Sequence, residues 1–257
     1  MDTTTWDEFK KIRAQFRSMV EELSHSLPKL KTIQQKFVDS RSEGSNAAYK
    51  VETPVVYNTA LDDITIEDEI KLILVADNPG RREQAAENRR YLVGPSGKIA
   101  NKFFKDNPAL GIDFYKNVII LNKTPIHSPR TVELRQLCNM EKGSSIAAAL
   151  ETSQRTMAEL LLKFHKALAC PVWVTGYSEM RKGGLFEIYT ESLKELYTSN
   201  EMFSQLFIYR HFSMNQFTID LKQQTQPGET VTKTLKRIGA AYRQRILVRG
   251  FSRINAD

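Results

Sequence analysis

Three short apolar runs, each stopping abruptly at polar residues, limit this chain's fold more than any other feature. Residues 71–76 run into Asp77, Asn78, Pro79 and Gly80; residues 116–121 run into Asn122 and Lys123; residues 205–209 run into Arg210 and His211. Continuous apolar stretches of this length predict strands buried on both faces. Residues 171–176, with Val172, Trp173 and Val174, predict a further strand. Helical sequence fills the intervals: from Ser96 to about Asn107, from Ser145 to Ala169 and from Leu185 to Thr198. Strands alternating with helices predict an α/β fold, a three-layer α/β/α sandwich around a four-stranded, mainly parallel sheet. Such sheets bind ligands outside the carboxyl ends of their strands, so Asp77, Asn78, Asn122 and His211 are brought towards one edge.

The ends of the chain have a different character. Trp6, Phe9, Ile12, Phe16, Met19, Val20, Leu23 and Leu27 recur at spacings of three and four, which predicts an amphipathic helix within residues 5–38, broken or kinked at Pro28. Turn-forming residues from Asp39 to Asn46 mark a linker or exposed loop. The expected division is therefore an N-terminal helical extension and linker over 1–45 and an α/β domain over 46–257. Residues 231–253 predict a basic amphipathic helix with Leu235, Ile238, Ala241, Tyr242 and Ile246 on its apolar side. Its Lys233, Lys236, Arg237, Arg243, Arg245 and Arg249 form a solvated face first and a DNA contact second.

Charge and cysteine content exclude several classes of function. The 37 Lys and Arg against 30 Asp and Glu give a net charge of +7, which favours a polyanionic partner without requiring one. Cys138 and Cys170 are the two cysteines, too few for a disulfide framework or a four-thiolate cluster, and the four histidines have no metal-ligand spacing. No apolar stretch approaches the length of a membrane span. A cytoplasmic protein is expected, nucleoid-associated if bacterial, with no metal, no cofactor and no membrane partner. The residues from Gly94 to Lys98 do not form a nucleotide phosphate loop: Leu92 stands where its first glycine belongs, and Ile99 where a Ser or Thr must hold magnesium.

Taken in order, the three strand ends resemble the motif set of the uracil-DNA glycosylase superfamily over about residues 50–250. The segment from Ala76 to Gly80 is similar to the Asn-Pro-Gly version of the mismatch-specific branch. Val93, Gly94, Gly97 and Lys98 resemble a stretch of the iron–sulfur branch, whose four cluster cysteines this chain lacks. The resemblance implies a monofunctional hydrolase that removes uracil or a related damaged or mismatched pyrimidine from DNA. Cleaving an N-glycosidic bond puts positive charge on the sugar and negative charge on the base, so a water positioner and an anion stabiliser are needed on opposite sides. Asn78, with Asp77 second, matches the water position, and His211 matches the donor to the base O2. Asn122 matches the residue that reads the base edge, accepting from N3–H and donating to O4. Pro79 and Gly80 belong to the same loop, and a glycine at 80 leaves room for a 5-substituent where the uracil-selective branch carries a tyrosine.

The aromatic that stacks on the extruded base falls at Tyr91 or Leu92: strict alignment favours Leu92, and the chemistry favours Tyr91. Ser213 is expected to contact phosphate, Lys123 to contact DNA, and Phe212 or Met214 to fill the gap left by a flipped base. Phe212 replaces the proline of the family pattern. Each polar strand end alone reads equally well as a turn, a cap or a structural histidine; the weight comes from their joint occurrence. The alternative reading is a nucleic-acid-binding or interaction protein that kept the fold with weak or no catalysis. The oligomeric state is not legible.

Overall fold

The computed structural model describes residues 1–42, 49–140 and 145–248. Its centre is a sheet of four parallel strands, β1 (Leu72–Ala76), β2 (Val118–Asn122), β3 (Val172–Thr175) and β4 (Leu206–Tyr209), in the order β2-β1-β3-β4. Every residue of β1 is buried, as expected of an inner strand covered on both faces. Register pairs Leu74 with Ile120 and Trp173, and Ala76 with Asn122. The expected sheet is present and is wholly parallel. The strand order reverses between β1 and β3, which puts the crevice for a ligand at the carboxyl ends of those two strands.

The face that carries Trp173 and Tyr209 packs on α3 (Pro95–Asp106), α8 (Gln216–Gln224) and α9 (Val231–Arg243). Aromatic rings fill this layer: Phe104 stacks on Trp173 at 5.6 Å and Phe217 at 5.9 Å. Gly239 of α9 has no side chain because a β-carbon there would lie 2.6 Å from the Tyr209 hydroxyl. The other layer contains α5 (Ser145–Leu168) and α6 (Glu187–Leu196), which pack on each other.

The N-terminal stripe folds as α1 (Thr3–Ser26), followed by α2 (Leu30–Ser42); Pro28 stands in the break between them. Phe9, Ile12, Phe16 and Val20 are buried, and Phe9 meets Phe164 of α5 at 5.5 Å, so this segment packs into the same core as the sheet. The expected linker falls largely on residues 43–48, outside the described residues. Three helices were not anticipated from the sequence: α4 (Thr131–Met140), which follows the proline-bearing loop after β2, the short α7 (Asn200–Ser204), and α8. The basic tail is helical from α9 to a π-helical turn at Gln244–Val248, and Arg249 to Arg253 lie outside the described residues. Arg243 is buried rather than solvated: its Nη1 donates to the carbonyls of Phe203, Ser204 and Leu206. No helix among the described residues is long and apolar enough to cross a membrane.

Candidate active site

A cavity of about 870 Å³ opens at the carboxyl edge of the sheet. Its wall includes Asp77, Asn78 and Gly80 from the loop after β1, Leu92 from the turn before α3, and His211, Ser213 and Met214 from the loop after β4. Six of the eleven residues singled out for the site thus share one cavity, together with Leu92, the alternative to Tyr91.

Asn78 is held in a single orientation. Its Nδ2 donates to the Ser128 carbonyl at 3.1 Å, and that oxygen can only accept, so the amide NH2 must face it. The same nitrogen reaches Ser128 Oγ at 3.0 Å. The Oδ1 is therefore turned to the other side, where Thr131 Oγ1 approaches at 3.3 Å. A further lone pair on Oδ1 remains for a water. His127 holds the loop from behind: its Nδ1 donates to the Pro79 carbonyl at 2.8 Å, and its Nε2 accepts from the Tyr49 hydroxyl at 2.9 Å. Burial keeps this imidazole neutral, with its pKa lowered to about 4.

His211 is fixed in the complementary sense. Its Nδ1 accepts the Ser213 backbone N–H at 3.0 Å, so the neutral ring carries its proton on Nε2. Burial lowers its pKa; Lys123 lowers it further, and Asp77 opposes both. The ring is thus a neutral donor on the cavity wall.

Asp77, partly buried after β1, and Lys123, fully buried after β2, form an ion pair. Lys123 Nζ lies 2.5 Å from Asp77 Oδ1 and 2.5 Å from the Thr175 carbonyl, and it sits 4.9 Å from the Phe186 ring. Burial lowers the lysine pKa, and Asp77 acts against that shift. Gly176 makes the pair possible: a β-carbon there would lie 2.2 Å from Asp77 Oδ1, and its φ of 92° is one that side chains disfavour. Lys123 has no exposed surface, which corrects its expected role as a DNA contact: the charge is used inside the fold.

Four other expectations are corrected. Tyr91 is 2% exposed, and its hydroxyl donates to the Val56 carbonyl at 2.5 Å, so its ring is core and does not face the cavity. Leu92 takes the wall position instead. Its φ of 53° turns the chain there, and its carbonyl oxygen would lie 1.4 Å from a β-carbon at position 97, which is why Gly97 opens α3 so close to it. Phe212 is buried and stacked on Phe217 at 4.3 Å, so it cannot act as a wedge; Met214, 82% exposed with φ 53°, stands at the rim. Asn122 is 1% exposed and off the cavity wall, and its Nδ2 has no hydrogen-bond partner among the described residues. Pro79 contributes its carbonyl rather than a wall.

Several wall residues carried no signal in the sequence. Phe37 and Val38 of α2, together with Tyr49, close one side of the cavity, so the N-terminal segment takes part in the site. Glu83 is also on the wall and is buried. It accepts the Gly80 N–H at 2.7 Å, and burial pushes its pKa up to about 7 against the pull of its backbone hydrogen bonds. An acid three residues beyond Gly80 was the available signal, but its exposed charged neighbours hid it. Among the described residues no group of three or more His, Cys, Asp or Glu is arranged to hold a metal. Comparison with protein-family models, curated proteins and solved structures found no match for this chain.

Proposed function

We propose that this protein hydrolyses the N-glycosidic bond of uracil, or of a related damaged or mismatched pyrimidine, in DNA. The observation that carries the reading is the pairing of Asn78 and His211 on one cavity wall. The Ser128 carbonyl holds the amide NH2 of Asn78 and so turns its oxygen to the other side, beside Thr131, and a backbone N–H on Nδ1 leaves the Nε2 proton of His211 free. One side orients a water; the other donates to an oxygen on which negative charge builds. The C1′–N1 bond breaks with its electron pair leaving on the base, whose O2 accepts from His211. The water oxygen bonds to C1′, and its proton ends on the departing base. An amide orients a water but does not deprotonate it, so the reaction relies on base departure preceding attack. Asp77, neutralised on one oxygen by Lys123, leaves Oδ2 to offset positive charge on the sugar.

The surroundings suit a flipped nucleotide. Arg81 and Arg82 are exposed and line the same cavity as Ser213, offering cations and a hydroxyl to the phosphates of the strand, and the exposed Met214 offers a wedge. A β-carbon at Gly80 would meet nothing closer than Glu83 Oε2 at 3.9 Å, so the loop leaves room for a 5-substituent.

The test is direct. Oligonucleotides carrying one uracil, single-stranded, opposite guanine and opposite adenine, are incubated with the protein and treated with alkali. Breakage at the uracil is the expected result. One observation favours a binding-only protein of the same fold: Asn122, the expected base reader, lies off the wall. Salt-sensitive binding to the same oligonucleotides with no breakage in any of the three would establish that alternative.

A further inference from the structure

Both anchors of the Asn78 loop come from residues 127 and 128. The Ser128 carbonyl and hydroxyl accept from Asn78 Nδ2 at 3.1 and 3.0 Å, and the Pro79 carbonyl accepts from the Ser128 N–H at 3.1 Å and from His127 Nδ1 at 2.8 Å. The position of this dipeptide therefore sets that of the Asn78 amide. The His127 ring is 1% exposed and is not part of the cavity wall. A carbonyl only accepts, so Nδ1 carries the proton and the bare Nε2 must itself accept, which it does from the Tyr49 hydroxyl at 2.9 Å. The two rings also meet edge-on, with centroids 5.8 Å apart.

Two consecutive residues of α2 hold both members of this pair. Gln34, itself buried, donates from Nε2 to the His127 carbonyl at 2.8 Å, and Gln35 donates from Nε2 to the Tyr49 carbonyl at 3.1 Å. The Gln35 Oε1 accepts from the Val51 N–H at 2.8 Å, which fixes its amide in turn. The Pro54 carbonyl accepts from the His127 N–H at 3.0 Å and from Gln34 Nε2 at 3.3 Å. We propose that His127 is a positioning residue: with Tyr49 on its Nε2 and α2 behind both, it fixes the direction of the Asn78 amide and gives the N-terminal extension a part in the reaction. The proposal rests on the hydrolysis reading of the same cavity. Rate is sensitive to such placement, since a misplacement of about 1 Å costs on the order of 10²-fold.

Three measurements on the full chain test this. In wild-type protein labelled with 15N in its histidines, His127 is expected as a neutral ring with its proton on Nδ1 and a bare Nε2. The Asn78 side-chain NH2 resonances are expected to move towards those of a solvated amide in His127→Leu, and to return towards wild type in His127→Asn, whose amide nitrogen takes the place of Nδ1. Single-turnover excision from a uracil oligonucleotide is expected to fall at least tenfold in His127→Leu and at least threefold in Tyr49→Phe. In His127→Asn it returns to within threefold of wild type, and oligonucleotide affinity stays within threefold throughout. A wild-type ring protonated on Nε2 overturns the proposal, whether or not excision is detected and whether or not any variant folds. Asn78 resonances that ignore His127→Leu, or that move equally in His127→Asn, also overturn it. Excision by His127→Leu at the wild-type rate, or a loss that lies in affinity alone, overturns the positioning role, and a Tyr49→Phe protein at full rate removes the N-terminal extension from the reaction. Wild-type protein that excises nothing while the Asn78 resonances respond as expected contradicts the hydrolysis reading and leaves the positioning of Asn78 by His127 standing.

Discussion

The carboxyl ends of β1 and β2 look alike in sequence and differ in use. Ala76 and Asn122 are register partners, so the two loops leave the sheet at the same level. Each begins with an amide and a charged residue: Asp77 and Asn78 after β1, Asn122 and Lys123 after β2. The first pair lines an open cavity. In the second loop every residue from Asn122 to Ser128 is buried, and Lys123 turns inward to hold Asp77. Strand order explains the contrast. The crevice lies between β1 and β3, and β2 is on the far side of β1, so its side chains reach the crevice only from beneath. A charged strand end can therefore serve its neighbour instead of a ligand.

Removing the buried support while leaving the cavity side chains in place separates the two loops most strongly. Lys123→Met leaves the Asp77 carboxylate without its ion partner. It should cost about 3–5 kcal/mol, the usual loss when one member of a buried pair is removed, as read by urea unfolding at neutral pH. Asn78→Ala should cost far less, because its hydrogen bonds are at a cavity wall. Equal losses in the two variants would erase the distinction between the loops.

A smaller effect concerns Glu83, on the open side. Its folded pKa of about 7 lies above the ordinary value of 4.5, so its neutral form is favoured by folding. The stability it contributes is fully present below about pH 4.5 and is lost as pH rises through 7, by about 3 kcal/mol in total. The stability difference between wild type and Glu83→Gln, measured by unfolding from pH 4.5 to 8.5, should fall by that order. A pH-independent difference would place Glu83 in a more solvated environment.

The smallest effect comes from Tyr91→Phe, which removes the donor to the Val56 carbonyl. It should cost about 1–2 kcal/mol of stability, the range for leaving one buried acceptor unpaired, and leave base excision within threefold. Excision lost without loss of stability would return Tyr91 to the site.

These contrasts mark what was legible in the sequence. Buried inner strands write themselves as unbroken apolar runs, so β1 to β4 and their polar ends were readable, as was the stripe of α1. The fate of Lys123 was not: its partner Asp77 is 46 residues away, and the pair exists only through the β1–β2 register and the missing side chain at Gly176. The choice between Tyr91 and Leu92 depended on a left-handed backbone at Leu92, a conformation uncommon outside glycine and invisible in composition. Phe212 looked like a wedge because nothing local reveals that Phe217 stacks on it. The helix α4 was hidden by its shortness and by the prolines before it.

The proposed hydrolysis needs the loop after β1 and the loop after β4 together. Alkali-revealed breakage of a uracil oligonucleotide by wild type, Asn78→Ala and His211→Ala, at enzyme excess, tests it most directly. Breakage by wild type is expected, with at least a hundredfold loss in each variant, the order for removing one transition-state donor, and unfolding midpoints close to wild type. Breakage that persists in both variants, or is missing in wild type with every uracil context, would contradict it.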